Sequence, residues 1–491
     1  MLSLAKPEVN LSDEQAKAPV KPGFWLPFCL LQGLFFFCFL PVLRQDYAFC
    51  DDFYYLARSI RAEDWLFAVL REALLQGRPV DGLALDLSFL LIHSVGNLVW
   101  LRIAGIAGAA CVAYCSYRLL VNTGWTKLQS FCLALCLATV PAFQVYISWA
   151  VAASHVFPAL GAFFAVVLVE RETKQGFKIP LMLAAIACMF LSVGFYQPSA
   201  MFFWVFAAII LFKPVGTSSV PERLKEQASL FAKLFAVFSS ACVLELGVFE
   251  WAKRYFGTAA LLPQRSHLTT HIAAKVHWFI GGPLVDALNF QRLQPSHRVA
   301  FLVAAFIAIG LLLYLKGNIY QRLLQWAAAL CLIPLSYLPN LAIAEDFVTY
   351  RTEAGLTALL VFYLFIAGAG IAQTFNKPLF PAILGCFTAL AAGITLILVN
   401  YNVNTFFVLP QALELALMKS QLDGDFGQQI KGSPVLLKRN DTLAPFSRYD
   451  EFGLPSLCQP WVPDPVVFLF KRGLIESPGI ESAQGKHLSR E

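Results

Sequence analysis

The chain has 491 residues, of which 58% are hydrophobic and only 14% are charged. Because an ordinary soluble domain carries about 25% charged residues, this composition excludes a soluble fold and indicates a protein that lies in a bilayer. The net charge of +6 is small for the length and gives no basic footprint for nucleic acid.

The first apolar run extends from Phe24 to Leu43 and contains no charged residue. It has the length of roughly 20 residues that a helix needs to cross the hydrocarbon core. A polar head precedes it, and it ends in Pro-Val-Leu-Arg rather than in the small residues of a cleavage site. We therefore predict a membrane anchor, with residues 1–23 as a cytoplasmic tail.

Further apolar runs of spanning length follow along the chain and bring the predicted total to about eleven spans. These runs are Leu98–Leu120, Ser130–Trp149, Val151–Val169, Ile179–Gly194, Pro198–Phe212, Leu230–Phe249, Ala300–Leu315, Leu323–Leu338, Gly355–Ala372 and Leu379–Val399. The predicted fold class is thus an all-α polytopic membrane protein.

Lysines and arginines in short loops are retained on the cytoplasmic side, so their positions predict orientation. They precede the first span and recur in alternate loops, which places the N-terminus inside. Strict alternation then puts four sizeable segments outside: 44–97, 250–299, 339–354 and the tail from residue 400. Some Arg and Lys also lie in these outer segments.

The tail after residue 400 changes character, with Asp, Gly, Pro and charged residues between short β-prone runs such as Pro434–Leu437 and Val466–Phe470. We predict a small mixed α/β periplasmic domain over residues 400–491, with a disordered end from about Ser477. Residues 24–399 would form the transmembrane module, with 44–97 as its periplasmic catalytic loop.

An acidic motif follows the first span directly, at the predicted outer surface. Asp46, Asp51 and Asp52 lie among Tyr and Phe residues there. The segment Phe53–Leu75 after it has apolar residues roughly on one face, which predicts an amphipathic helix in the interface plane.

A carboxylate at the outer membrane surface suits the transfer of a sugar from a lipid phosphate. The reactive bond of such a donor lies at the headgroups, and a base must take the proton of the attacking hydroxyl. The other interpretation is that Asp51 and Asp52 cap a helix, because Asp stabilises a helix N-terminus. Adjacent residues on a helix point apart, so even in the first interpretation one acid acts as base while the other caps or orients.

Other polar groups at outer span ends extend the candidate site. Arg78, near Asp81 and Asp86, either lines the pocket or forms a surface ion pair. The pair Tyr196-Gln197 either binds sugar hydroxyls or anchors the interface. Three cations are candidates for the donor phosphate or for lipid headgroups: Lys253, Arg254 and, as first choice, Arg351.

A metal site is not predicted. His267 and His271 are four residues apart, but a third ligand and the groups that would orient these imidazoles cannot be identified in the sequence. No cofactor is expected beyond the lipid-linked sugar itself, which is a substrate.

The layout resembles the GT-C superfamily of polytopic glycosyltransferases and, more narrowly, the serotype-converting glucosyltransferase II family of bacterial inner-membrane enzymes. The matching pieces are the Asp51-Asp52 pair after the first span, Gly77-Arg78-Pro79, Gly194-Phe195-Tyr196-Gln197 and the aqueous C-terminal tail. The resemblance implies that the first acid of the pair, Asp51, is the base.

The resemblance further implies an inverting transfer of glucose or another hexose from a polyprenyl phosphate donor. The acceptor would be O-antigen, lipopolysaccharide or a related glycan on the periplasmic side of the bacterial inner membrane. A transporter or flippase of a lipid-linked sugar is the alternative. A transporter should place its essential ionisable groups near the bilayer midplane. The middles of the predicted spans here are nearly free of charge, with Glu245 as the main exception, which favours the enzyme. An O-antigen polymerase or ligase is a further alternative.

Most of the 12 cysteines fall in apolar runs, whereas Cys50 and Cys458 lie in segments predicted to be aqueous. Disulfides persist in an oxidising compartment, so a bond between these two would tie the C-terminal domain to the acidic motif. Docking of that domain on the loop without a bond is the favoured interpretation, because two cysteines so distant in sequence must approach within about 7 Å between Cα atoms.

Overall fold

The computed structural model describes residues 25–61, 69–176, 178–214, 220–257, 267–374, 380–426 and 449–475. The predicted N-terminal tail, the run Pro434–Leu437 and the predicted disordered end from Ser477 lie outside these described residues.

Helices make up most of the described chain. They are α1 (Trp25–Cys38), α2 (Leu40–Arg44), α3 (Asp51–Arg61), α4 (Leu70–Leu75), α5 (Pro79–Phe89), α6 (Val99–Asn122), α7 (Lys127–Leu137), α8 (Pro141–Ser148), α9 (Phe157–Gln175), α10 (Ile179–Phe195), α11 (Gln197–Ala200), α12 (Phe202–Leu211), α13 (Val220–Phe256), α14 (Ile272–Gly281), α15 (Pro283–Leu288), α16 (His297–Tyr314), α17 (Ile319–Leu335), α18 (Leu338–Ala342), α19 (Ala354–Ala372), α20 (Phe380–Asn402), α21 (Leu409–Phe426) and α22 (Pro463–Lys471). Two 3₁₀-helices matter for the site, Ala150–Val156 and Tyr350–Thr352.

Among the described residues, six helices are long and apolar enough to cross a membrane, and the α7–α8 pair makes a seventh if it counts as one span. That pair bends by 61° at a break before Pro141, whose ring nitrogen cannot donate to the preceding turn. Four shorter apolar helices lie at other predicted span positions: Trp25–Cys38, Ile179–Phe195, Gln197–Leu211 and Ile319–Leu335. The helical polytopic architecture is therefore confirmed, while the total of eleven spans stays a prediction.

The span Ala354–Ala372 forms the centre of the bundle, with 78% of its apolar window buried against 28% for Leu224–Phe256. It packs on α16 through glycines. A Cβ added at Gly310 would lie 2.5 Å from the Ala367 Cβ, and one at Gly370 would lie 2.3 Å from the Gly310 carbonyl oxygen. Small residues thus let the two backbones approach, as in other membrane helix pairs.

Two predicted helices are interrupted. The run Phe24–Leu43 breaks at Phe39, because Pro41 in the first turn of α2 has no N–H to continue the α1 hydrogen bonds. The predicted amphipathic helix over Phe53–Leu75 corresponds to α3 and α4 within the described residues, and residues 62–68 between them lie outside the description. Helix α3 does bury one face, with Phe53 and Leu56 inward.

The described parts of the C-terminal region are mainly helical, and the mixed α/β domain stays a prediction. The chain is helical from Phe380 to Phe426, with a π-helical segment between α20 and α21, so the predicted boundary at residue 400 falls inside a continuous helix. The predicted strand Val466–Phe470 is wrong, because it belongs to α22. Pro463 in the first turn starts that helix, and Val466 and Leu469 share its buried face at helical spacing. No strand occurs in the part of the chain that the structure describes, only isolated bridges.

Candidate functional site

The two adjacent acids at the start of α3 have different environments. Asp52 is fully buried, and its two oxygens accept hydrogen bonds from the Phe49 N–H and the Val151 N–H, both at 2.9 Å. Arg102 lies 3.8 Å away. Burial raises the pKa of Asp52 to about 6, against the opposing charge of Arg102. Asp52 therefore fixes the loop to the 3₁₀-helix Ala150–Val156.

Asp51 faces a different set of groups. Its Oδ1 accepts a hydrogen bond of 2.9 Å from the indole N–H of Trp461, and its side chain is partly accessible. Burial raises the pKa of Asp51, while Arg351, the Trp461 hydrogen bond, Arg78 and His155 oppose that rise in this order. Of the two acids, Asp51 is thus the one whose carboxylate oxygens are not both taken by backbone N–H groups.

Arg351 lies on the 3₁₀-helix Tyr350–Thr352 that leads into α19. Its guanidinium stacks over the Trp149 ring at 4.8 Å from the centroid, and its Nε is 3.3 Å from Glu451 Oε1. Burial by itself lowers the pKa of Arg351, but Tyr196, Glu451 and Asp51 outweigh burial and raise it. The side chain therefore presents a permanent positive charge near Asp51.

A second cation is held by an aromatic stack. The Arg78 guanidinium lies over the Tyr196 ring at 4.8 Å, and Tyr196 stacks on the imidazole of His155 with centroids 3.8 Å apart. The His155 Nε2 lies 3.2 Å from Asp81 Oδ2, and Asp81 also accepts a hydrogen bond from Ser154. A chain of contacts from Asp81 through His155 and Tyr196 thus sets the position of the Arg78 guanidinium.

Several buried polar atoms around these cations make no hydrogen bond within the described chain. They are Arg78 Nε, Arg351 Nε, Trp149 Nε1 and both carboxylate oxygens of Glu451. The Arg351–Glu451 contact is close enough for an ion pair but is not aligned as a hydrogen bond. Because buried polar groups normally find partners, unused donors on two arginines that both act on Asp51 suit an anionic ligand.

The other predicted site residues have contacts elsewhere. The Gln197 amide donates to the Gly77 carbonyl, and so holds the turn before Arg78. Lys253 pairs with Glu250 at 2.5 Å, and Arg254 is exposed at the end of α13. Asp46 is half-buried in the extended segment before α3. The structure thus brings together Asp51, Arg78, Tyr196 and Arg351, and places Gln197 next to them.

The structure adds neighbours that the sequence analysis did not identify: Tyr146, Trp149, His155, Glu451 and Trp461. Tyr146 donates a hydrogen bond of 2.5 Å to the Arg351 carbonyl. These side chains come from the α8 region and from the C-terminal segment, far from the acidic motif in sequence. No local spacing in the sequence indicates that these side chains meet, although Trp149 ends one predicted span and His155 lies near the start of the next.

The C-terminal segment docks on the first outer loop, as the favoured interpretation of the two cysteines predicted. The Cys50 N–H donates to Ser456 Oγ at 3.0 Å, and Arg61 pairs with Asp464 at 2.9 Å. Cys50 and Cys458 are both free thiols, so the alternative of a disulfide between them is wrong. Docking rests on hydrogen bonds and packing instead.

Within the described residues, no group of three or more His, Cys, Asp and Glu side chains is placed to hold a metal ion. His267 and His271 precede α14 and are exposed.

Comparison with solved structures finds similarity to an archaeal oligosaccharyltransferase, AglB from Archaeoglobus fulgidus in complex with an inhibitory peptide and a dolichol-phosphate. The TM-score is 0.42 and the identity 12%, over 84% of this chain and 60% of that chain. The chain therefore spans less than two thirds of the length of that structure. No family model and no curated protein sequence matches the chain.

Proposed function

We propose that the protein is a membrane glycosyltransferase that moves glucose or another hexose from a polyprenyl phosphate donor to a glycan acceptor. The acceptor is O-antigen, lipopolysaccharide or a related glycan at the periplasmic face of the bacterial inner membrane. The observation that carries this proposal is the carboxylate of Asp51 beside two half-buried arginines, Arg351 and Arg78, whose buried Nε atoms make no hydrogen bond within the described chain.

The residues support a single displacement. The acceptor hydroxyl gives its proton to the Asp51 carboxylate as its oxygen attacks the anomeric carbon. The bond between that carbon and the phosphate oxygen breaks, and the polyprenyl phosphate leaves with the electron pair. One displacement inverts the anomeric configuration. The leaving phosphate is a weak base, so it needs positive charge around it rather than a proton donor.

Arg351 and Arg78 supply that charge. Each guanidinium lies on an aromatic face, Trp149 or Tyr196, which holds its plane while leaving N–H groups at its edge. A planar fork matches two phosphate oxygens at once, and the two guanidinium groups stabilise charge that develops on the phosphate. Lys253 and Arg254 at the end of α13 would instead face lipid headgroups or the incoming donor.

The transporter alternative has one observation in its favour. Glu245 is buried within the α13 span, and both of its carboxylate oxygens lack a partner among the described residues. Intramembrane carboxyl groups often mark transport pathways. Proteoliposomes loaded with a fluorescent polyprenyl phosphate hexose separate the two functions, because a flippase moves the donor without acceptor and a transferase consumes it only with acceptor.

The deciding experiment is mass spectrometry of the surface glycan from cells that lack the gene and carry either the wild-type chain or Asp51→Asn. The amide keeps the shape of the side chain but does not accept the proton. We expect one hexose per repeat with the wild-type chain and none with the variant, at equal amounts of membrane protein. Identical glycans in the deletion strain and the wild type would contradict the proposed function. Full hexose addition by the variant would remove Asp51 as base.

A further inference from the structure

The C-terminal segment brings an exposed aromatic residue to the candidate base. Trp461 is 45% exposed, yet its indole N–H donates a hydrogen bond of 2.9 Å to Asp51 Oδ1. This hydrogen bond joins the C-terminal segment directly to the candidate base.

The position of Trp461 is fixed on both sides along the chain. Before it, the Ser456 and Leu457 N–H groups donate to the Glu414 carboxylate at 2.8 and 3.0 Å. After it, α22 buries Val466 and Leu469 and packs on α3, which begins at Asp51 itself. The indole therefore has a defined place relative to the carboxylate.

The hydrogen bond uses only one oxygen of the Asp51 carboxylate. Oδ2 makes no hydrogen bond within the described chain, so it remains available to the hydroxyl of an acceptor. A donor held on Oδ1 fixes the carboxylate plane and so the direction in which Oδ2 points. Base catalysis needs that direction, because the base must lie within hydrogen-bond reach of the proton that it removes.

The face of the same indole provides a surface next to Oδ2. An aromatic ring is negative over its face and attracts the weakly positive C–H groups of a hexose ring, while the sugar hydroxyls point outward to water. A saccharide stacked on Trp461 would therefore present a hydroxyl at its rim close to the base.

We propose that Trp461 is a positioning residue that binds the acceptor saccharide on its ring face and orients the Asp51 carboxylate through its N–H. The inference rests on the proposed function and names the acceptor side of the same site. The indole N–H should affect turnover, and the ring face should affect acceptor binding. One substitution that removes only the N–H and one that removes the whole ring therefore distinguish the two roles.

The charge around Asp51 matters for a pH test, because every facing group contributes to its ionisation. The titratable and charged groups that face it are Arg351, Arg78, His155, Cys50, Tyr55 and Asp52. The Trp461 hydrogen bond lowers the pKa of Asp51, so removing the N–H raises it.

The test compares Trp461→Phe and Trp461→Ala in detergent-purified full-length protein, with polyprenyl phosphate-glucose as donor and O-antigen lipopolysaccharide from the deletion strain as acceptor. For Trp461→Phe we expect kcat to fall roughly tenfold, the scale of a hydrogen bond to a charged group, with acceptor KM nearly kept. The acidic limb of the pH–rate profile of Trp461→Phe should move to higher pH. Trp461→Ala should also raise acceptor KM by roughly threefold to tenfold.

Asp464→Asn is the matched control, because it removes an exposed ion pair of the same segment with Arg61 and leaves the indole in place. This variant should have the wild-type pH–rate profile, kcat and acceptor KM. An equal effect of all three variants, together with lower thermal stability, would assign Trp461 to docking alone and overturn the inference.

A binding measurement separates this inference from the proposed function. Calorimetry with the released O-antigen oligosaccharide should give the wild-type affinity for Trp461→Phe and a weaker one for Trp461→Ala, without any donor present. Wild-type transfer with unchanged constants in both variants overturns the inference and leaves the function standing. Absence of both transfer and binding in the wild type contradicts the function and this inference with it.

Discussion

The imidazole of His155 and the phenol ring of Tyr196 are parallel to within 2°, with centroids 3.8 Å apart. The ring of Tyr196 also lies under the guanidinium of Arg78. The Asp81 carboxylate lies 3.2 Å from Nε2 of His155, so a buried polar contact and an aromatic pair together fix a cation beside the candidate base.

Replacing Tyr196 by Leu should raise donor KM roughly tenfold, because the cation–π contact with Arg78 is lost and the guanidinium is no longer held flat. Tyr196→Phe keeps the ring and serves as the control, with donor KM close to that of the wild type. Steady-state transfer assays with polyprenyl phosphate-glucose measure both. Equal donor KM for the Leu and wild-type proteins would contradict a role of the stack in donor binding.

Asp52→Asn should lower stability rather than remove activity. An amide offers one oxygen where the carboxylate accepts two backbone N–H groups, and it leaves Arg102 buried without its counter-charge. We expect a loss of about 1–3 kcal/mol in the free energy of unfolding. Thermal unfolding of purified protein checks this, with the exposed Asp464→Asn as the control. A variant that unfolds like the wild type but transfers no hexose would exchange the roles of Asp51 and Asp52.

Arg351→Lys should weaken use of the donor far more than it affects stability. The ammonium keeps the charge but loses the planar fork and the stacking on Trp149. Donor KM should rise roughly tenfold or more, the scale of one hydrogen bond to a charged group. The exposed Arg171→Lys is a matched control that should leave donor KM unchanged. If Arg351→Lys also leaves donor KM unchanged, the role of binding the donor phosphate would have to be assigned to Arg78, Lys253 or Arg254.

The acidic limb of the transfer rate should lie above the ordinary range of an aspartate. Transfer needs the ionised form of Asp51, and burial raises its pKa, so activity is lost at a higher pH than an exposed Asp would give. Arg351 lowers that pKa, and Arg351→Gln should therefore move the limb further upward. Rates at saturating donor between pH 4 and 8 measure this. If the acidic limb of the pH–rate profile stays at the same pH in Arg351→Gln, the charge of Arg351 does not act on the ionisation of Asp51.

Glu245→Gln should leave hexose transfer within about twofold of the wild type. The carboxyl group lies within the α13 span and makes no hydrogen bond to described residues, and the neutral amide avoids the cost of a buried charge. The glycan assay in the deletion strain provides the readout. Complete loss of hexose addition with normal membrane insertion would instead favour a transport step through Glu245.

The sequence by itself determined the membrane class, the places of the apolar runs and the acidic motif after the first of them. These properties are local, because hydropathy over about 20 residues decides what enters a bilayer. Periodicity was less decisive in short segments. Val466–Phe470 has the composition of a strand, yet prolines at the start of α22 and a buried face at helical spacing make it a helix.

Only the tertiary structure decided which acid faces the arginines of the candidate site. Asp51 and Asp52 are neighbours of the same type, and their difference comes from Val151, Arg351 and Trp461, which lie far along the chain. Long-range packing brings a backbone N–H to one carboxylate and an indole with two arginines to the other. Desolvation and charge then act differently on the two, because electrostatic environment depends on distance in space and not on distance in sequence.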